Sequence, residues 1–115
     1  MEVDVIIGDL EGKKRIKVTA LVDTEAPFTV IPESISKDLN LNPIGEKVKV
    51  STAKGYDELD LTHAVLEIGE KRRIMPILIS KQIDRVLIGV TTLEAMQLRV
   101  NPLTKKLEEY TVLLY

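Results

Sequence analysis

Hydrophobic and polar residues alternate in short segments along most of the chain, a pattern typical of β-strands whose two faces differ in burial. Segment 46–52 alternates cleanly, whereas segment 15–22 loses its alternation toward Leu21, where both faces become apolar. About eight strands are predicted, spaced roughly every 8–12 residues, which indicates a closed or nearly closed β-barrel or a sandwich. The strand segments are 3–7, 15–22, 28–31, 46–52, 58–68, 74–79, 86–89, 98–100 and 107–115.

Two short helices interrupt the strands. The first is predicted to begin at Pro32, whose missing N–H costs nothing in a first helical turn, and to end at Asn40, a plausible left-handed residue. The second is predicted to begin at Thr91, because Thr91 and Glu94 have the spacing of a capping box.

The middle of the chain predicts a β-hairpin, with strands 46–52 and 58–62 joined by a turn at 53–57. Beyond Thr62 the apolar positions change parity, which indicates a β-bulge near Thr62 and His63. Pro76 cannot donate a ladder hydrogen bond, so its strand is expected to have an edge or irregular position.

The length predicts one domain over residues 1–115. Its core is expected to be aliphatic, since there is one Phe, three Tyr and no Trp. The net charge of −2 leaves no electrostatic footprint for nucleic acid. No apolar run approaches the ~20 residues that span a membrane, and the N-terminus has no signal-peptide pattern, so a cytoplasmic protein is expected.

Several kinds of chemistry are excluded by residue type. The absence of cysteine rules out thiol nucleophiles and zinc–cysteine sites. His63 is the single histidine, so no second histidine completes a metal site with it, and nothing in the spacing pairs it with a particular serine for a catalytic triad. We therefore expect no metal and no cofactor.

The stretch 20–31 is the strongest candidate for chemistry, because an apolar strand delivers Asp23 to an acidic turn and a second apolar strand leaves it. Taken alone, Asp23 is either a strand-end aspartate or a catalytic carboxylate. A later stretch echoes this one: segment 86–90 is again an apolar strand, a tight break and the start of a helix. The echo hints at two related halves.

At these two stretches the sequence resembles the retropepsin-like aspartic proteases, especially their single-domain prokaryotic members. Asp23-Thr24-Glu25-Ala26 is similar to the Asp-Thr-Gly-Ala signature, and Val86-Leu87-Ile88-Gly89 is similar to the second signature of the family. The resemblance covers essentially the whole chain. It implies an all-β closed barrel of the acid-protease type with two short helices, and a homodimer in which each subunit supplies one aspartate.

The resemblance also implies roles for individual residues. Asp23 matches the catalytic aspartate, and Thr24 matches the residue whose hydroxyl ties the two active-site loops together across the dimer. An extended peptide or protein substrate would then contact Glu25, Ala26 and Gly89, together with a flap tip formed by Lys54, Gly55 and Tyr56. Residues 110–115 match the strand that pairs with the termini of the partner, and their apolar character suits such pairing.

Glu25 departs from the family pattern, which has glycine at this position. If the backbone there required positive φ, a glutamate would cost about 1 kcal/mol or more. The leading hypothesis is an aspartic endopeptidase with an Asp dyad shared across the homodimer. Two alternatives remain open: a catalytically impaired, dimeric peptide-binding module of the same fold, and a structural subunit that assembles through its apolar C-terminal strand.

Overall fold

The computed structural model describes residues 1–114, and over this range the chain forms nine strands and two six-residue helices. The elements in chain order are β1 (Glu2–Gly8), β2 (Arg15–Val22), β3 (Thr29–Pro32), α1 (Glu33–Asp38), β4 (Lys47–Thr52), β5 (Gly55–Ile68), β6 (Lys71–Ser80), β7 (Leu87–Ile88), α2 (Val90–Ala95), β8 (Leu98–Asn101) and β9 (Lys106–Glu109). Within residues 1–114, neither helix is long and apolar enough to cross a membrane.

Seven strands form one sheet in the order β1-β2-β7-β3-β6-β5-β4, and β8 and β9 form a separate hairpin. β1 also pairs with β5, so six of the strands close into a ring and β4 extends outward from β5. The β2–β7 and β3–β6 pairs are parallel. This closed, mostly β architecture confirms the predicted fold class.

The inside of the ring is filled with aliphatic side chains, as the composition predicts. The largest fully buried residues include Ile7, Ile31, Leu66, Ile77 and Ile88. Burying such a side chain contributes roughly 1.5–3 kcal/mol each, so the ring is held mainly by branched aliphatic packing.

Both helices begin differently from the sequence-based expectation. Pro32 is the last residue of β3 and the N-cap of α1, so the helix itself begins at Glu33. The predicted capping box is wrong, because α2 begins at Val90 after Gly89 and has no side-chain cap. The backbone N–H groups of Val90 and Thr91 donate instead to the carbonyls of Ala26 and Pro27. Asn40 does end the first helical segment with φ of 53°, as predicted.

The predicted bulge in β5 is also wrong. The register between β5 and β6 runs without interruption from Asp60 opposite Ile79 to Ile68 opposite Lys71. The change of parity has another cause: Leu59 faces the cleft described below, whereas the later apolar residues of β5 face the core. β6 lies between β3 and β5 and is not an edge strand, but Pro76 precedes Ile77, where pairing with β3 begins, so β6 is paired only with β5 at this residue.

The chain end differs from the predicted strand 107–115. Strand β9 ends at Glu109, and residues 110–114 have no regular secondary structure; Tyr115 lies outside the described residues. Leu113 and Leu114 are 87% and 78% exposed. Tyr110 is half-buried and its N–H donates to the Gln97 carbonyl at 3.0 Å, whereas residues 111–114 are exposed.

Candidate active site

Asp23 lies where two parallel strands end side by side. It follows β2 directly, and its backbone N–H donates to the carbonyl of Ile88, the last residue of β7, at 2.9 Å. One residue earlier, the N–H of Val22 donates to the carbonyl of Met1 at 2.9 Å. The backbone that carries Asp23 is therefore fixed to both the second signature stretch and the N-terminus.

The acidic turn holds the Asp23 carboxylate in a defined direction. Oδ1 of Asp23 accepts a hydrogen bond from the backbone N–H of Glu25 at 3.0 Å, and the Asp23 carbonyl accepts one from Ala26 at 3.2 Å. Asp23 is half-buried, whereas Thr24 and Glu25 are exposed. The carboxylate is thus oriented by the turn and still open to solvent on one side.

The two stretches that resemble each other in sequence pack together in the structure. The first two N–H groups of α2, from Val90 and Thr91, donate to the carbonyls of Ala26 and Pro27 at 2.8 and 3.1 Å. These bonds explain why α2 needs no side-chain cap, because its first-turn donors are already satisfied. They also anchor the acidic turn from behind.

Two threonines that the sequence reasoning did not single out lie at the centre of this packing. The hydroxyls of Thr29 and Thr92 are 2.7 Å apart and fully buried, and the Gly89 N–H donates to Thr29 Oγ1 at 3.0 Å. The sequence feature that could have pointed to this pair is the presence of a threonine within a few residues of each signature stretch. Alone it could not be distinguished from ordinary strand or helix surface.

Gly89 fits its place for reasons of space. A Cβ built on it would lie 2.4 Å from both the carbonyl carbon and oxygen of Phe28, and 2.9 Å from the Ala26 carbonyl oxygen. The structure places Gly89 behind the acidic turn, buried and outside the lining of the cleft. Its predicted contact with substrate remains a prediction.

A cleft of about 690 Å³ opens between the acidic turn and the β4–β5 hairpin. Its wall is largely aliphatic, with Phe28 the one aromatic residue among the lining. Asp23, Glu25 and Ala26 line one side, as the sequence predicts for residues near a substrate. The remaining lining residues are Pro27, Phe28, Val30, Val48, Lys49, Val50, Ser51, Thr52, Asp57, Leu59, Leu78, Ser80, Gln82, Ile83 and Leu87.

The predicted flap residues lie at the tip of the hairpin, beyond the cleft wall. Lys54 is in the two-residue turn, and Gly55 has φ of +119°, a conformation that favours glycine. Tyr56 is 76% exposed, and the Lys49 ammonium nitrogen lies 4.5 Å from the centroid of its ring. Together with Thr24, these residues do not line the cleft in the single chain.

The backbone at Glu25 is unstrained. Within residues 1–114 the non-glycine residues with positive φ are Asn40, Gln97 and Lys105, so Glu25 does not adopt the conformation that would penalise a side chain. The cost of about 1 kcal/mol that a positive φ would impose on this glutamate is therefore absent. The turn therefore accommodates the side chain of Glu25 without backbone strain.

A sequence profile described as aspartyl protease matches residues 3–92, which is most of the chain. The chain belongs to this aspartyl protease family. The matched range includes the acidic turn that carries Asp23. No curated protein matches the sequence.

Solved structures support the same fold. The protease of the equine virus EIAV, solved with the inhibitor HBY-793, is 17% identical, with a TM-score of 0.64 over 83% of this chain and 86% of that chain. The protease of Simian Foamy Virus (mac) is 20% identical, with a TM-score of 0.59 over 82% and 92% of the two chains. At such identities the likeness shows the fold alone. The fold of this aspartyl protease family member is retropepsin-like.

The buried threonine pair allows a stability prediction. Thr29→Val removes the acceptor of the Gly89 N–H and the partner of the Thr92 hydroxyl, so two buried groups lose their hydrogen bonds, and we expect a loss of about 2–3 kcal/mol. Thr92→Val leaves the Gly89 bond in place and should cost about 1 kcal/mol. Urea unfolding of both variants measures the difference. Equal losses, or a larger loss for Thr92→Val, would contradict this assignment.

Proposed function

We propose that this aspartyl protease family member is an endopeptidase that hydrolyses peptide bonds with a dyad formed by Asp23 of two subunits in a homodimer. The observation that carries the proposal is the Asp23 carboxylate, oriented by its turn and facing an aliphatic cleft that the β4–β5 hairpin borders. A cleft that combines aliphatic and polar residues suits an extended peptide, because apolar side chains can be buried while the reacting bond meets a carboxylate.

The proposed chemistry uses proton transfer alone. One Asp23 carboxylate takes a proton from a water molecule, whose oxygen then attacks the carbonyl carbon of the peptide bond. The second Asp23, protonated, donates a hydrogen bond to the carbonyl oxygen as negative charge develops there. Two carboxylates this close cannot both ionise, so the dyad shares one proton. Protonation of the leaving nitrogen and collapse of the intermediate give an amine and a carboxylic acid.

The proposal requires a dimer because one chain brings one Asp23. The other aspartate of the cleft, Asp57, is on the hairpin, and its Oδ1 accepts the N–H of its neighbour Glu58 at 2.8 Å. The exposed apolar residues Val112, Leu113 and Leu114 support association, since large exposed apolar side chains suit a protein interface.

The dimer makes a testable prediction. The double variant Leu113→Asp, Leu114→Asp replaces side chains that are exposed in the single chain, so folding should be unaffected while association is lost. We expect sedimentation to show a dimer for the native protein and a monomer for the variant, with hydrolysis lowered at least tenfold. Leu103→Asp is the matched control, because Leu103 is 92% exposed on the β8–β9 turn, and it should stay dimeric. A monomeric native protein that hydrolyses peptides would contradict the shared dyad.

A second candidate function is a dimeric peptide-binding module without hydrolysis. Glu25 favours it, because the glutamate adds a second carboxylate to the cleft that Asp23 lines, at a position where the family signature has glycine. The two candidates are separated by incubating the protein with an unfolded protein substrate between pH 3 and pH 8 and identifying products by mass spectrometry. New termini support the endopeptidase. Intact substrate that nevertheless binds in the cleft supports the module.

A further inference from the structure

We propose that Glu25 is a specificity-determining residue that selects substrates carrying a lysine or arginine within about two residues of the scissile bond. This inference rests on the proposed endopeptidase function and names the class of its substrates. It starts from the position of the Glu25 side chain, which lines the same cleft as Asp23 and belongs to the same turn.

The geometry of the turn links Glu25 to the reacting bond. The Glu25 N–H donates to Oδ1 of Asp23 at 3.0 Å, so the two residues cannot move independently. If Asp23 acts at the scissile bond, the Glu25 carboxylate meets the substrate residues next to that bond. Glu25 is exposed and its backbone is unstrained, so its side chain is free to reach a substrate.

The charge of Glu25 is not neutralised within the chain. Among residues 1–114 no lysine, arginine or histidine nitrogen forms a salt bridge of 4.0 Å or less with its carboxylate, whereas many surface carboxylates of this protein do have such a partner. The cleft lining holds three carboxylates, from Asp23, Glu25 and Asp57, and one ammonium group, from Lys49.

That single cation is on the far wall and is already engaged. Lys49 is on β4, and its Nζ lies 4.5 Å from the centroid of the Tyr56 ring, a favourable cation–π distance. The cleft therefore carries a net negative charge inside an aliphatic wall. This charge attracts a cationic substrate side chain and disfavours acidic substrates.

The test uses matched peptides that differ only by the presence of the charge. Two peptides of identical sequence carry either lysine or the uncharged isostere norleucine next to the scissile bond, and kcat/KM is measured for each. We expect the native protein to prefer the lysine peptide about fivefold, near the upper limit for a charge pair open to water. In Glu25→Gln the ratio should fall to about one, and raised salt should weaken the native preference.

The control variant is Glu70→Gln, an exposed glutamate in the β5–β6 turn outside the cleft, which should retain the native ratio. A ratio near one in the native protein, or a preference that survives in Glu25→Gln, would overturn the inference while leaving the endopeptidase function intact.

A binding measurement tests the inference in the case that neither peptide is hydrolysed. The same peptide pair, with a neutral hydroxyethylene group replacing the scissile amide, is titrated by calorimetry. If nothing is hydrolysed but the lysine analogue binds more tightly to the native protein than to Glu25→Gln, the endopeptidase proposal fails and the recognition by Glu25 stands. If neither hydrolysis nor discrimination in binding occurs, both proposals fail.

Discussion

Replacing Asp23 with asparagine is expected to lower peptide hydrolysis at least a thousandfold while leaving the fold unchanged. Asparagine has nearly the same volume, and its side-chain oxygen can still accept the Glu25 N–H that orients Asp23. It cannot take a proton from water at the pH values of the assay, and general acid–base catalysis by a positioned group contributes typically 10²–10⁴-fold. Because both subunits lose their carboxylate, we expect the upper part of that range.

The matched control is Asp57→Asn. Asp57 lines the same cleft and also accepts a backbone N–H with its side chain, from Glu58 at 2.8 Å, so the substitution is chemically equivalent. We expect this variant to keep at least a tenth of the native rate. Initial rates and circular dichroism of both variants give the comparison. If Asp23→Asn remained within tenfold of the native protein, the dyad would be refuted.

Replacing Gly89 with alanine is expected to destabilise the protein by about 3 kcal/mol or more. The added Cβ would lie 2.4 Å from the Phe28 carbonyl group, far inside van der Waals contact. Overpacking usually costs about 1–3 kcal/mol, and here relief is restricted because the neighbouring carbonyls of Ala26 and Pro27 are bonded to the start of α2. Such a loss is a large share of the roughly 5–15 kcal/mol that stabilises a typical domain.

Gly8→Ala is the control for this substitution. Gly8 is also buried and has no positive φ, but a Cβ there would meet its nearest atom, the Lys14 carbonyl oxygen, at 3.3 Å. We expect a cost below about 1 kcal/mol for Gly8→Ala in urea unfolding. A Gly89→Ala variant as stable as Gly8→Ala would mean that the loop carrying Asp23 yields easily, contrary to the bonding described above.

The fold and the acidic turn were largely predictable because they depend on local patterns. Alternation identified the β4–β5 hairpin, and the two signature stretches singled out the segments that carry Asp23 and Gly89. The wrong predictions came from local sequence patterns that contacts between distant elements override. The capping-box spacing of Thr91 and Glu94 was overridden, because the carbonyls of Ala26 and Pro27 already satisfy the helix donors. No pattern near Thr91 could reveal partners more than sixty residues away.

The parity change in β5 shows a second limit. A shift of apolar positions has two physical causes, an extra residue or a strand that is packed on different faces along its length. The sequence of segment 58–68 is compatible with both, and only the unbroken register with β6 decides for the second. The Thr29–Thr92 hydrogen bond was out of reach for the same reason, since a buried hydroxyl pair needs the positions of two distant elements.

The ring closed by β1 has a consequence for how the chain folds and what happens when it fails. β1, at the start of the chain, pairs with β2 and also with β5, which lies in its second half. The second pairing must close a long loop before it gains contacts, and such non-local topologies fold slowly, in milliseconds to seconds. Until that step is complete, one edge of β1 and part of β5 stay open, and another chain can add a strand to them. Pairing of β1 with β5 therefore also protects newly made chains from aggregation, because it covers these edges.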